Sequence, residues 1–424
     1  MKPSWIKIVA AAALLLAGAR AQALSIRTLA GGVTPGALNG FGSHARFNYP
    51  GGVAVDGAGN VYVADTLNSI IRRIAADGGV STLAGLAGEY GSSDGAEAAA
   101  RFYGPQAIAA DGAGQLYLAD TVNSTIRKVT PAGEVSTLAG VPGDFNSFDG
   151  AGAAAQFHHP EGVAVDAGGN LYVADTWNHT IRKITPAGLV STLAGLAGYC
   201  GSADGTNSKA RFNRPAGLVV DGATNLFVAD TFNHTLRQIS PAGKVTTVAG
   251  LPGVWGSADG ANSAARFYLP QGIAITADGD LLVADSGNQT LRKVSPVGTN
   301  WVVSTVAGLP GLAGSVNGSD GHARFCFPAG LALDNAGCLY VADAANHLIR
   351  TTRVVPPTLQ FAALEGQMVL CWPTSAEGFV LEQSPTVDAL AAWSPATNGI
   401  AILGDSFICT NSPGAAAFYR LRFP

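Results

Sequence analysis

The chain has 424 residues, and its charged side chains make up only 13% of the sequence against an average of about 25%. With 47% hydrophobic residues and 55 glycines, this composition excludes a disordered, charge-rich protein and allows a large core. The net charge of −4 argues against binding to a nucleic-acid backbone.

The N-terminal residues are typical of a secretory signal. Two lysines precede an apolar stretch from Ile8 to Ala17, and small residues follow where a signal peptidase needs them. Cleavage before Gln22 or before Leu24 satisfies the pattern. We prefer Leu24, which makes residues 1–23 the signal peptide. No later apolar run approaches the ~20 residues of a bilayer span, so we expect a protein that is secreted or held in the cell envelope, with no membrane span in the mature chain.

A repeat organises most of the sequence that follows. The string Ala-Asp-x-x-Asn occurs six times, and an arginine stands four residues after each asparagine. Successive copies are 55 residues apart, except that 58 residues separate the last two. The aspartates are Asp65, Asp120, Asp175, Asp230, Asp285 and Asp343, and the arginines are Arg72, Arg127, Arg182, Arg237, Arg292 and Arg350.

Each copy contains four short runs rich in β-branched residues, such as GVAVD, NVYVAD, IIRRI and VSTLAG, with turn residues between them. Four strands at a period near 50 predict a propeller blade. Six copies therefore predict an all-β fold, a six-bladed β-propeller over residues 24–355. The last copy lacks its fourth strand, and residues 25–30 match it. We expect the chain's start to complete the sixth blade and close the ring, which removes an open sheet edge.

The repeat stops before Pro356, and residues 356–424 consist of short alternating strands between turns. This segment resembles the small fibronectin-like or immunoglobulin-like β-sandwich that is often attached to exported bacterial proteins. Cys371 and Cys409 lie in two of its strand-like runs and are the plausible disulfide pair among five cysteines.

Units of the type NxxGVAVDxxGNLYVADTxNHxIRKI, each preceded by a long loop that ends in ARF and a proline, resemble NHL repeats. The resemblance covers residues 25 to about 353 and rests on six copies in register. It implies a six-bladed β-propeller. Such propellers overlap in appearance with gluconolactonase-like (SMP-30) and peptide-amidating lyase propellers, the SMP-30/gluconolactonase/LRE-like group. The resemblance therefore admits both binding proteins and enzymes, because a fold does not fix a function.

Residues present in all six copies are interpreted as structural, because one site does not need six equivalents. The repeated aspartate and asparagine can cap backbone groups at the turn between the second and third strands, and the arginine can pair with a carboxylate.

Function is expected where the copies differ on one face. Since strands alternate in direction, the loop that enters the first strand and the Ala-Asp-x-x-Asn turn lie on the same side, around the mouth of the central channel. The candidate ligand-binding residues there are Tyr49, Gln106, His159, Glu161, Trp177, His179, Arg214, Phe232, His234 and Gln271. His179 and His234 also fit a purely structural role, because histidine recurs at this repeat position as His347.

These features predict an exported binding platform for a peptide, glycan or protein partner. The alternative is a metal-dependent lyase or hydrolase, amidating-lyase-like or lactonase-like, in which histidines at the channel mouth hold the ion beside Glu161 and Arg214. A third possibility is a cell-surface adhesive or spacer protein attached through its C-terminal segment. We expect no cofactor, no nucleic-acid partner and a monomer.

Overall fold

A computed structural model describes residues 24–319, 321–352, 360–364, 367–373, 380–384, 394–396, 400–403, 406–411 and 418–422. The predicted signal peptide, residues 1–23, lies outside the described residues. No helix in the described ranges is long and apolar enough to cross a membrane. The chain divides into two compact units, with the boundary after residue 353.

Each of the first five repeats forms an antiparallel sheet of five strands. After β1 (Arg27–Gly31), the first such sheet contains β2 (Gly40–Phe41), β3 (Pro50–Val55), β4 (Val61–Asp65), β5 (Ile70–Ile74) and β6 (Gly79–Ala84). The spatial order β2-β6-β5-β4-β3 places β2 on the outer edge, beside β6. The prediction of four strands was therefore wrong by one, because the glycine-containing loop pairs with the fourth strand for two residues.

The next four sheets repeat this order. They comprise β7 (Gly95–Ala96), β8 (Pro105–Ala110), β9 (Leu116–Asp120), β10 (Thr125–Val129) and β11 (Glu134–Ala139); β12 (Gly150–Ala151), β13 (Gly162–Val165), β14 (Leu171–Asp175), β15 (Thr180–Ile184) and β16 (Leu189–Gly195); β17 (Gly205–Thr206), β18 (Pro215–Val220), β19 (Leu226–Asp230), β20 (Thr235–Ile239) and β21 (Lys244–Ala249); and β22 (Gly260–Ala261), β23 (Pro270–Ile275), β24 (Leu281–Asp285), β25 (Thr290–Val297) and β26 (Asn300–Gly308).

Single-turn 3-10 helices recur at two places in the repeat. One follows the two-residue outer strand, at Gly42–His44, Glu97–Ala99, Gly152–Ala154, Asn207–Lys209 and Asn262–Ala264. The other forms the turn between the second and third strands, at Thr66–Asn68, Thr176–Asn178, Thr231–Asn233, Ser286–Asn288 and Ala344–Asn346.

The sixth sheet closes the ring with the start of the chain. It contains β27 (Pro328–Leu333), β28 (Leu339–Asp343) and β29 (Leu348–Thr351), and β1 pairs antiparallel with β29 as predicted. Ile26 forms a bridge with Gly318 that corresponds to the outer-strand pairing of the other sheets. The innermost strands contact one another in a complete circle, in which β27 contacts β3. The six sheets therefore form a six-bladed β-propeller.

Neighbouring blades cover both faces of the middle strands. All five residues of β4 are buried, whereas β6, nearer the outer edge, contains both buried and exposed positions. An apolar cluster lies between each pair of adjacent sheets; between the first two blades it includes Tyr62, Ile71, Phe102 and Leu118. This burial explains why the second strands are continuous hydrophobic runs in the sequence.

The innermost strands approach so closely that glycine is required there. A Cβ atom on Gly217 of β18 would lie 2.0 Å from the carbonyl oxygen of Gln271, whereas one on Gly222 would have no neighbour within 4 Å. We expect Gly217→Ala to lower the free energy of unfolding by about 3 kcal/mol, because it overpacks the channel wall. The matched Gly222→Ala should change it by less than about 0.5 kcal/mol. Urea unfolding of both variants measures the difference, and equal stabilities would contradict the packing.

The second unit contains two antiparallel sheets among its described residues. One has the order β30 (Gln360–Leu364), β31 (Gln367–Pro373), β35 (Ser406–Asn411), β34 (Ile400–Leu403), and the other is β33 (Ser394–Pro395), β32 (Val380–Ser384), β36 (Phe418–Arg422). The predicted β-sandwich stays a prediction. Cys371 pairs with Ile408 and Cys409 with Leu370, so the two cysteines are not direct cross-strand partners. Their side chains lie outside the described part.

Candidate binding site at the channel mouth

A buried ion pair fixes the loop that carries the candidate residues of the third blade. Asp175 Oδ2 accepts hydrogen bonds from Arg182 Nη1 at 2.7 Å and from Asn178 Nδ2 at 2.9 Å. Asp175 Oδ1 accepts the backbone N–H of His158 at 2.8 Å. Burial raises the pKa of Asp175 to about 6, although Arg182 and the other donors oppose the rise. The repeated motif therefore positions site residues without facing the ligand itself.

The other five blades contain the same pair of buried side chains. Each aspartate binds its arginine and accepts a backbone N–H from the loop before the first strand, at Asn48, Tyr103, Asn213, Tyr268 and Cys326. Each arginine also lies over the phenylalanine of the Arg-Phe or Gln-Phe pair in that loop, with 5.1–5.4 Å between the guanidinium carbon and the ring centroid. This arrangement agrees with the structural interpretation of the repeated residues.

The residue after each first-strand proline lines the central channel. Three of these six residues are polar, namely Gln106, Glu161 and Gln271. Glycine and apolar residues line the next two levels, so the polar groups of the channel wall are confined to the ring beside the mouth.

The residue before each proline forms a different ring. The predicted site residues include positions on both sides of this proline, but only those after it line the channel. Those before it have left-handed backbone conformations, with φ between 46° and 58°: Tyr49, Gly104, His159, Arg214, Leu269 and Phe327. Such conformations are strained for residues other than glycine and cluster at ligand sites.

A side chain from the preceding blade fixes each strained residue. The side chain of the residue that follows the repeated asparagine accepts a hydrogen bond from the backbone N–H of the strained residue. Thus His179 Nδ1 accepts from Arg214 at 3.1 Å, and His234 Nδ1 accepts from Leu269 at 3.3 Å. His347 Nδ1 accepts from Tyr49 in the same way, at 3.0 Å. The Nδ1 atoms of His179 and His234 are therefore engaged in joining blades, and burial lowers the pKa of both rings.

Arg214 lies between two aromatic rings at the mouth. Its guanidinium carbon is 4.2 Å from the ring centroid of Trp177 and 4.8 Å from that of Phe232. The two rings come from equivalent turns of the third and fourth blades, and Arg214 precedes the first strand of the fourth. The structure thus brings three predicted site residues together in one stack.

Glu161 lies beside this stack, in the channel wall. Burial raises its pKa to about 7, while the positive charge of Arg214 and a hydrogen bond with the Trp177 side chain act in the opposite direction. Its carboxylate does not come within 4 Å of a guanidinium nitrogen of Arg214, although it feels that charge. Glu161 therefore faces the Trp177 side chain, and among the described residues no carboxylate forms an ion pair with Arg214.

Two histidines and a phenylalanine extend the stack away from the channel. The ring of Phe145 lies 5.3 Å from that of His159 and 5.5 Å from that of His158, and both histidine rings lie within 5.5 Å of Trp177. The ring centroids of His158 and His159 are 5.3 Å apart, so the two side chains lie together instead of pointing to opposite sides as adjacent residues of a strand do. Burial and the neighbouring His159 lower the pKa of His158.

Further aromatic residues lie around the mouth that were not among the predicted site residues. Tyr90 stacks on Tyr103 with 4.7 Å between ring centroids, and Trp255 packs on Tyr268 at 5.0 Å. The members Tyr90, Phe145 and Trp255 occupy the same position in three copies of the long loop. This recurrence of aromatic residues at one loop position is the signal in the sequence by which they could have been predicted.

The remaining predicted residues lie apart from the Arg214 stack. Tyr49 faces Phe327 at 6.4 Å, where the sixth blade meets the first, and burial raises the pKa of Tyr49. Gln106 and Gln271 belong to the channel ring. Among the described residues, no three His, Cys, Asp or Glu side chains are grouped so that they could hold a metal ion.

Sequence comparisons place this geometry in a family. Residues 141–353 match the family described as the teneurin NHL domain, and residues 47–72 match an NHL repeat. Similar proteins include Protein SUPPRESSOR OF QUENCHING 1, chloroplastic, of Arabidopsis thaliana, with 29% identity over 71% of this chain, and NHL repeat-containing protein 2 of Bos taurus, with 30% identity over 62%. The matches span only 30% and 41% of those two proteins.

Solved structures share the fold. A structural genomics protein of unknown function from Bacteroides thetaiotaomicron aligns with a TM-score of 0.61 and 21% identity, over 78% of this chain and 76% of that one. An auxiliary nutrient binding protein from the same organism aligns with a TM-score of 0.58 and 15% identity, over 78% and 76%. Since the teneurin NHL match covers half of the sequence, the chain belongs to the NHL-repeat β-propeller family of the teneurin NHL domain type.

Proposed function

We propose that this propeller is an exported binding module that takes a glycan, peptide or protein segment at the channel mouth. One observation carries the proposal: exposed aromatic rings are concentrated around a single opening that also holds polar channel residues. Their exposed fractions are 68% for Tyr90, 64% for Trp255, 48% for Phe145, 45% for Phe232, 41% for Trp177 and 41% for Tyr103. Apolar and aromatic walls with a few convergent polar groups are typical of ligand sites.

These rings are suited to binding because they are large and held in place. An aromatic side chain buries roughly 150–250 Å² when it is covered, and a stacked pair contributes about 0.5–1.5 kcal/mol beyond that burial. Gln106 and Gln271 add amide donors and acceptors at the channel wall.

The mouth is rigid as well as apolar. The backbone N–H of each strained residue donates a hydrogen bond to a side chain of the preceding blade, and the hydroxyl of Thr176 donates to the carbonyl oxygen of Pro215 in the next blade at 2.8 Å. A preorganised surface loses little conformational entropy when a ligand binds, so more of the contact energy appears as affinity.

Export rests on the predicted signal peptide, residues 1–23. We expect the mature protein to begin at Leu24 and to be recovered from the medium or the cell envelope. N-terminal sequencing of protein from fractionated cells tests this, and an intact Met1 on cytoplasmic protein would contradict it.

Arrays of glycans and peptides, probed with the full mature chain, test the binding function. We expect Tyr90→Ala and Trp255→Ala each to weaken the selected ligand by about tenfold, as loss of an aromatic anchor does. Phe41→Ala is the matched control, because Phe41 is 58% exposed but belongs to the outer strand β2. A ligand that binds both mouth variants as tightly as the wild type would contradict the proposed site.

A further inference from the structure

We propose that Arg214 binds the carboxylate of an acidic oligosaccharide at the channel mouth, with the sugar rings stacked on the neighbouring aromatic side chains. This inference rests on the proposed binding function and names the ligand class. It starts from the guanidinium that Trp177 and Phe232 enclose.

The stacking leaves the hydrogen-bonding edge of Arg214 available. The rings cover the faces of the guanidinium, at 4.2 and 4.8 Å. Within the described part of the chain, no residue accepts a hydrogen bond from its terminal nitrogens, and none forms an ion pair with it; only its backbone N–H is bonded, to His179. A planar guanidinium with a free edge suits two parallel hydrogen bonds to a carboxylate.

Few carboxylates compete with a ligand for Arg214, even though the whole chain is acidic. His158, His159 and His179 lie around the Arg214 stack, and His179 and Glu161 both feel the charge of Arg214. Glu161 is the carboxyl that faces the stack from the channel wall. Asp175 is buried against Arg182, and Asp144 accepts a hydrogen bond from Gln156 beyond Phe145.

Stacked rings point to a sugar as the carrier of that carboxylate. Phe145 and the histidine pair continue the platform beside Trp177, and the Tyr90–Tyr103 and Trp255–Tyr268 pairs provide flat surfaces farther around the mouth. A chain of sugar rings can cover successive platforms, while the glutamine amides of the channel offer donors and acceptors to hydroxyl groups. A peptide carboxylate is instead commonly captured by backbone N–H groups.

Matched pairs of oligosaccharides test the inference. Trigalacturonate and a hyaluronan tetrasaccharide are compared by calorimetry with their carboxyl-reduced counterparts, which keep every ring and carry a neutral hydroxymethyl group in place of each carboxylate. With the full mature chain, we expect at least one acid to bind tenfold or more tightly than its reduced form. In Arg214→Gln this ratio should fall to near one.

Three further variants make the result specific. Arg214→Lys keeps the charge but loses the planar fork, so it should recover only part of the preference. Arg73→Gln is the control, because Arg73 binds Asn60 at the turn on the other side of the disc and should leave the ratio unchanged. Glu161→Gln keeps an acceptor for the Trp177 side chain but removes a competing charge, so it should raise the affinity for the acid above pH 7. Melting curves establish that each variant is folded.

The wild type should bind the acid more tightly as the pH falls from 8 to 6, since Glu161 loses its negative charge near pH 7.

The inference is overturned if acid and reduced sugar bind equally, if Arg214→Gln binds the acid like the wild type, or if no uronate binds. Peptides with a free C-terminal carboxylate and with an amide form a separate arm; selective binding of the former would show that the carrier is a peptide and overturn the sugar assignment. If the acid and its reduced form bind with equal affinity, and Trp255→Ala weakens the binding of both, the role of Arg214 is overturned and the proposed binding function stands.

Discussion

Asp175→Asn is expected to lower the free energy of unfolding by about 3–5 kcal/mol, because it leaves Arg182 as an uncompensated buried charge. Both side chains have no exposed surface. The oxygen of the new amide can still accept one hydrogen bond, from the backbone N–H of His158. Its NH₂ group, itself a donor, then faces the two groups that donated hydrogen bonds to the carboxylate, Arg182 and Asn178. Such a loss is large against a total stability of about 5–15 kcal/mol.

Asp149→Asn is the matched control, because Asp149 binds the same arginine from the other side. Its carboxylate lies 2.6 Å from Arg182 Nη2 but is 51% exposed. Partial burial raises its pKa, but hydrogen bonds from Thr192 and Arg182 outweigh this and hold the pKa below its usual range. Solvent screening limits this pair to about 0–1 kcal/mol.

Urea unfolding followed by tryptophan fluorescence compares the two variants with the wild type. If the free energy of unfolding of Asp175→Asn is within about 1 kcal/mol of that of the wild type, the structural interpretation of the repeated ion pair is wrong. We also expect Asp175→Asn to weaken ligand binding at the mouth, because His158 belongs to the loop that Asp175 anchors. Binding measured well below the unfolding transition separates this effect from instability.

The blade count and the closing strand could be predicted because the same residues recur at a fixed spacing. An ion pair that every blade needs leaves six copies of Asp-x-x-Asn and Arg in the sequence, and residues 25–30 match a strand that the last copy lacks. The two-residue outer strand could not be predicted in this way. Its Gly-Phe, Gly-Ala or Gly-Thr pairs carry no β-strand pattern, and they pair with the fourth strand only where the long loop returns to it.

The candidate site was predictable in part for the same reason. Trp177 and Phe232 stand at the same position of adjacent copies, and Arg214 precedes the first strand of the second of these copies, so the ring geometry brings the three together. Tyr90 and Trp255 lie in long loops whose path depends on contacts outside the strand pattern, and the sequence alone does not show that their rings reach Tyr103 and Tyr268.

The histidines show why a residue type does not establish a ligand. His179 and His234 suggested metal binding, but the positions they occupy are filled by serine, glutamine or histidine around the ring. What these side chains share is an acceptor for the next blade's backbone N–H: Ser124 Oγ accepts from His159 at 3.1 Å and Gln289 Oε1 accepts from Phe327 at 2.6 Å. The requirement at this position is a hydrogen-bond acceptor of suitable reach, and imidazole is one of three that meet it.

Removal of residues 24–31 is expected to destabilise the propeller more than any single substitution at the surface. The sixth sheet would lose its pairing of β1 with β29, and the core would lose Ile26 and Ala30, whose side chains are fully buried. Loss of a buried isoleucine alone costs about 2–5 kcal/mol, and each ladder hydrogen bond adds roughly 1 kcal/mol. The exposed edge of β29 should also promote aggregation. We expect a melting temperature at least about 10 °C lower and poor recovery of soluble protein.

Transposing the strand tests whether closure itself, and not the removed sequence, is responsible. In the transposed chain, residues 25–31 follow Thr352 through the turn that joins β15 to β16, Thr185–Gly188, before the C-terminal segment resumes, so that Ser25 takes the place of Leu189. Thr28 pairs with Arg350 as Thr192 pairs with Arg182, so the strand can reach the same register from the other side. We expect this chain to recover most of the lost stability. Recovery no better than that of the truncated chain would mean that the propeller depends on its N-terminal residues for something other than the fourth strand of the last blade.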